Sequence, residues 1–197
     1  MAKIHHIFGG IAEHELDGIL DESGFVTTQG QKLLRKIGVE TEKKVSIGKT
    51  TIKNLFVLYN GWKTPKIPID PETELIVGNF LKIPEDDTYL LKKWEILEQS
   101  FNMGIKIGEG TRIGEDVGLG LGVSVGRYCE VSDLCELCIF STIHDRVYLG
   151  KSAHIGKDSD VKSGSRVMAR AVVAERTIVK ENSLIAEGIV FKDNKKY

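Results

Sequence analysis

Ile105-Lys106-Ile107-Gly108-Glu109-Gly110-Thr111-Arg112-Ile113-Gly114-Glu115-Asp116-Val117-Gly118-Leu119-Gly120 places an aliphatic residue at every sixth position from Ile107. Further steps of six meet Val125, Val131, Leu137, Ile143, Leu149, Ile155, Val161, Val167, Val173, Val179, Ile185 and Phe191, so fifteen consecutive steps are apolar and fourteen of them aliphatic. Two positions before each stands a residue that is nearly always small or β-branched, among them Thr111, Cys129, Cys135, Ser141, Ala153, Ser159, Ser165, Ala171 and Thr177. Glycine follows the aliphatic position at 108, 114, 120, 126, 150 and 156.

Alternate residues of a strand share a face, so the aliphatic residue and the small one two before it both point inward. The glycine that follows supplies the dihedral freedom expected of a sharp corner. Six residues per short strand plus corner, without a break, describe a β-helix rather than a set of hairpins. All four prolines (Pro65, Pro68, Pro71, Pro84) lie upstream, which suits strands paired on both sides. Over residues 105–191 the chain resembles the hexapeptide-repeat family of left-handed parallel β-helices, usually triangular prisms with three hexapeptides per turn. The resemblance implies the left hand, since general connection rules favour the other. The expected fold is mainly β: a left-handed parallel β-helix of about five coils, roughly 24 Å tall at the usual strand spacing.

Both ends of such a prism are open strand edges that need cover. The spacing of Leu90, Leu91, Trp94, Leu97 and Phe101 predicts a capping helix from about Asp87, ended by Gly104, that packs across the first coil. Beyond the last coil, Lys192, Asp193, Asn194, Lys195 and Lys196 place charges that discourage stacking. The resulting division is a small α+β segment over 1–85, a capping helix over 86–104, the β-helix over 105–191 and a charged tail over 192–197. Within the first segment a helix is expected from Thr28 to Ile37, closed by Gly38, and strands over Val45–Ile52 and Asn54–Tyr59 before an Asn60-Gly61 turn. Residues 62–71 read as a linker, and Leu75, Val77, Gly78, Leu81 and Ile83 keep the inward phase of a partial coil. Gly9-Gly10 could imitate the nucleotide-binding turn of family members, but a single glycine pair is a weak signal and a plain turn is the better account of it.

A net charge of −1 over 197 residues, with neither half strongly basic, supplies no footprint for a nucleic-acid backbone. No apolar run approaches the roughly 20 residues of a membrane span, and residues 1–10 lack the apolar core of a signal peptide. A cytoplasmic protein without membrane or nucleic-acid partners is expected. Cys129, Cys135 and Cys138 are odd in number and lack a fourth ligand at finger spacing, so neither a disulfide framework nor a metal is expected.

The resemblance implies acyl transfer from coenzyme A or a carrier protein to a hydroxyl or amine, with an outer-surface histidine as general base. It also implies a homotrimer with ligands between subunits. The chemistry needs a neutral imidazole near the acceptor, an acidic neighbour to fix its tautomer and donors for the oxyanion. His144 and His154 are the histidines of the repeat, and His144-Asp145 forms the acidic pair that the family pattern contains. Residues 18 apart stack on successive coils, which sets His144 in the column Gly108, Gly126, His144, Lys162, Lys180. The two lysines could meet donor phosphates, the glycines suggest a left-handed backbone at 144, and Asp145 stacks on Arg127 as a prospective ion pair. His154 stacks on Glu136, which could orient it. The candidate site is therefore His144, Asp145 and His154 for catalysis, with Lys162 and Lys180 for acetyl-coenzyme A as co-substrate and a small acceptor such as a sugar. A metalloenzyme branch of the family needs two histidines five residues apart, which this sequence lacks. A non-catalytic scaffold or partner-binding protein is the alternative.

Overall fold

The computed structural model describes residues 18–55 and 104–192. Three parallel sheets form the faces of a solenoid. The first face holds β1 (Val39–Thr41), β3 (Ile105–Ile107), β6 (Ser124–Val125), β9 (Thr142–Ile143), β12 (Asp160–Val161) and β15 (Ile178–Val179). The second holds β2 (Ser46–Ile47), β4 (Arg112–Ile113), β7 (Glu130–Val131), β10 (Tyr148–Leu149), β13 (Arg166–Val167) and β16 (Leu184–Ile185). The third holds β5 (Gly118–Leu119), β8 (Glu136–Leu137), β11 (His154–Ile155), β14 (Val172–Val173) and β17 (Val190–Phe191). From β3 onward these are five coils of three strands, as expected of a left-handed β-helix. Every aliphatic position of the repeat from Ile107 to Ile185 is buried, and Phe191 in the last strand is half-buried.

The small inward residues have a second duty. Thr111 Oγ1 donates to the carbonyl of Gly126, Cys129 Sγ to His144, Cys135 Sγ to Gly150, Ser159 Oγ to Ala174 and Ser165 Oγ to Lys180, at 2.6–3.1 Å. Each bond ties a coil to the next and satisfies a polar group that burial would otherwise strand. Two of the three cysteines are thus structural, and burial pushes the Cys135 thiol up to about 11.

The glycine expectation needs correction. The left-handed residue of each corner is the third after the aliphatic one, and it is more often not glycine: Asp116, Tyr128, Leu134, Phe140, Arg146, Ser152 and Asp158 all have φ between 50 and 61°. Glycine next to the aliphatic residue answers to close approach instead. A Cβ on Gly126 would stand 2.7 Å from the carbonyl carbon of His144, and one on Gly108 2.6 Å from the carbonyl carbon of Gly126. His144 itself is not left-handed; Arg146 fills that place in its corner, with φ 57°.

The ladders also begin earlier than the repeat from Ile105 indicates. Val39, Glu40 and Thr41 pair with Ile105, Lys106 and Ile107, and Ser46 and Ile47 with Arg112 and Ile113. α1 (Thr28–Lys36), capped by Thr27 Oγ1 accepting the Gly30 N–H and followed by Gly38 at φ 76°, packs on β1. Of the strand expected over 45–52 only β2 is extended, and residues 49–55 form a second helix, α2, which takes Asn54 and Leu55 from the next expected strand. Tertiary contacts decide this: Thr51 Oγ1 donates to the Gly114 carbonyl and accepts the Val117 N–H, and Glu115 receives the first N–H groups of α2. Ile19, Leu34, Ile52 and Leu55 join the solenoid core. The glycine pair at 9–10, the turn at 60–61, the linker at 62–71, the partial coil at 75–83, the capping helix at 87–101 and tail residues 193–197 lie outside the described residues.

Candidate functional site

His144 opens the corner after β9, and its backbone is fixed from both neighbouring coils. Its N–H donates to the Val161 carbonyl at 2.9 Å, and its carbonyl accepts the Cys129 thiol at 2.9 Å. The imidazole stands on the outside of the first face, about one-third exposed. Its Nε2 lies 2.7 Å from Oδ1 of Asp160, which occupies the outward position of β12 directly above Thr142. The Asp160 side chain is only 10% exposed, and its Oδ2 accepts from Lys162 Nζ at 2.8 Å. Lys162 stacks one coil above His144, which brings its ammonium 3.3 Å from Nε2. Histidine, aspartate and lysine thus form one cluster across two coils.

Asp145 is not part of it. Its Oδ1 accepts the backbone N–H of Arg127 at 2.7 Å, whereas the Arg127 guanidinium forms a two-pronged pair with Glu42 at 3.0 and 3.2 Å. The expected Asp145–Arg127 ion pair is therefore a carboxylate–amide bond, with Gly126 leaving room for it. Hydrogen bonds from the Arg127 side chain and the Glu109 N–H hold the Glu42 carboxyl below its ordinary range. Lys180 is exposed at the upper end of the column.

His154 lies on the third face, apart from this cluster. Its Nδ1 is 2.9 Å from Glu136 Oε2, in the pairing expected from the stacking, and its Nε2 is 3.7 Å from Cys138 Sγ. Burial pushes the Cys138 thiol up to about 11, which keeps it a neutral neighbour of His154 at pH 7. The two histidines turn opposite nitrogens toward their carboxylates.

Straight column arithmetic finds Lys162 and Glu136 but passes over Asp160. Asp160 is a diagonal neighbour, 16 residues beyond His144, two positions back along the strand of the next coil. The signal in the sequence is the lone carboxylate among the outward positions of this face between Lys106 and Ile178. Among the described residues no three His, Cys, Asp or Glu side chains converge to hold a metal, and no helix is long and apolar enough to cross a membrane.

No protein-family pattern matches the chain. No curated protein sequence matches it. Among solved structures it is similar to PerB from Caulobacter crescentus, crystallised with CoA and GDP-perosamine, at 18% identity and a TM-score of 0.26. The match covers 52% of this chain and 59% of PerB, and it adds nothing to the fold that the strand pairing already gives.

Proposed function

We propose that the protein is an acyl-coenzyme A-dependent acyltransferase, acetyl in the first instance, acting on a small hydroxyl or amino acceptor such as a sugar. The observation that supports this reading is His144: a partly exposed imidazole on a fixed backbone, with a carboxylate 2.7 Å from one ring nitrogen. That is the equipment of a positioned general base. The imidazole takes the proton of the acceptor O–H or N–H as the oxygen or nitrogen attacks the thioester carbonyl carbon. The new bond forms, the C–S bond breaks, and the departing thiolate receives the proton back. Lys162 serves the carboxylate of the base, which leaves Lys180 as the cation assigned to the donor phosphates. Asp145 and His154 are the alternative participants, to be separated by substitution.

The reading includes a homotrimer with sites in the grooves between subunits, and an acyl-coenzyme A donor suits a cytoplasmic location. Sedimentation of a monomer near 22 kDa at micromolar concentration would remove the shared groove. The direct test is release of free coenzyme A from acetyl-coenzyme A in the presence of amino and hydroxyl sugars. A stabilisation of about 2.7 kcal/mol by coenzyme A at a hundredfold excess over Kd supports the reading, and no stabilisation counts against it.

A second reading, a non-catalytic scaffold, is favoured by the last coil. Its outward positions turn apolar at Ile178, Leu184 and Val190, and Leu184 and Val190 are 67% and 59% exposed. Absence of any shift with coenzyme A would favour it.

A further inference from the structure

We propose that Asp160 is the positioning residue of His144, holding the proton on Nε2 so that Nδ1 is the nitrogen offered to the acceptor, while Lys162 balances the charge of Asp160 without setting the tautomer. This rests on the acyltransferase reading, though its structural content can be measured without it.

The argument is a conflict at one atom. Nε2 has two close neighbours of opposite kind, a carboxylate oxygen at 2.7 Å that can only accept and an ammonium at 3.3 Å that can only donate. One nitrogen cannot serve both. The shorter contact goes to Asp160, and the Lys162 ammonium is already engaged by the other carboxylate oxygen at 2.8 Å. The proton therefore sits on Nε2, and the lone pair on Nδ1. Asp160 is well placed to enforce this. Its side chain is nine-tenths buried, and its backbone N–H is tied to the Thr177 carbonyl at 2.9 Å. In the resting cluster the lysine balances the aspartate. When Nδ1 takes a proton, the imidazolium forms facing an anion already aimed at it. His154 has the reverse arrangement, with Glu136 at Nδ1.

Tautomers are distinguished by long-range proton–nitrogen correlation spectra of protein carrying 15N-labelled histidine, recorded without substrate at about pH 8.5, above the usual imidazole range. The wild-type His144 should show Nε2–H and an unprotonated Nδ1. Asp160→Asn conserves volume, yet Lys162 will claim the amide oxygen and turn the NH2 group toward Nε2. The His144 proton should then move to Nδ1. Adding Lys162→Met frees the amide to turn its oxygen back, and the doubly substituted protein should regain Nε2–H. Glu136→Ala should alter the His154 signals alone. In turnover, Asp160→Asn should lower kcat by up to about 10⁴-fold with KM moved far less, the effect of a wrong tautomer at an oriented base. Nδ1–H in the wild type, or a His144 tautomer indifferent to Asp160→Asn, overturns the assignment. Should Asp160→Asn fail to fold, the wild-type spectrum and that of Lys162→Met, which should keep Nε2–H, decide it. Expected tautomers without any coenzyme A release would sustain the role of Asp160 and defeat the acyltransferase reading, so the two failures are distinguishable.

Discussion

At the scale of single residues, the corner after β9 separates chemistry from conformation. Because His144 has an ordinary backbone and Arg146 carries the left-handed place, His144→Ala should add no backbone strain and lose only the hydrogen bond to Asp160, about 1 kcal/mol in urea, while turnover falls 10²- to 10⁴-fold. Gly126→Ala should do the opposite kind of damage. Its new methyl would meet the His144 carbonyl carbon at 2.7 Å, so a loss of about 1–3 kcal/mol is expected in the same urea measurement. The inward residues were legible in the sequence because a period of six repeated fifteen times leaves no other face for them. The reason for the glycines was not, since a close approach and a left-handed backbone select the same residue. Asp160 escaped for a related reason: column arithmetic compares equivalent positions, and a side chain that leans along its strand reaches a different one.

At the scale of elements, α2 shows how a distant carboxylate decides a local structure. Thr50, Thr51 and Ile52 are β-branched and argue for a strand, but Glu115 accepts the N–H groups of Lys49 at 3.1 Å and Thr50 at 2.9 Å. Those are donors at the start of a helix, which a carboxylate satisfies both by hydrogen bonding and by charge. Burial works to raise the pKa of Glu115, but the hydrogen bonds from the Thr50 side chain and from the Thr50 and Lys49 amides outweigh it, and the net direction is down. A carboxyl whose folded pKa is depressed adds stability above its unfolded pKa and loses it as pH falls through the folded one. Glu115→Gln should therefore cost about 1 kcal/mol at pH 7, with the gap to wild type narrowing below pH ~4.5 and closing at lower pH. Urea titrations of both proteins across that range would check it. No reading of residues 45–55 alone could have found this cap, because its carboxylate comes from 66 positions along the chain.

For the whole molecule, the solenoid is a stack in which each coil meets only its neighbours, so stability adds coil by coil. Successive coils from β3 onward are joined at a separation of 18 residues, whereas β1 and β2 pair with strands 66 residues on. Closing that longer stretch costs about 1 kcal/mol more in chain entropy. Native-state hydrogen exchange should therefore find the amides of β1 and β2 opening at lower free energy than those of β6 to β13. Uniform protection across all of these strands would show that α1 and α2 more than offset the difference.

The same separation has a meaning for a chain made from its N-terminus. Every coil from β3 onward gains its partner within 18 residues of synthesis, but Val39–Thr41 and Ser46–Ile47 must wait for Ile105–Ile113 to leave the ribosome. At about 5–20 residues per second, 66 residues take roughly 3–13 s. During that interval the first two strands carry unpaired edges on a nascent polypeptide, and unpaired edges invite strangers. The β-branched and aliphatic residues that later begin the core are, in those seconds, a stretch that a chaperone would serve.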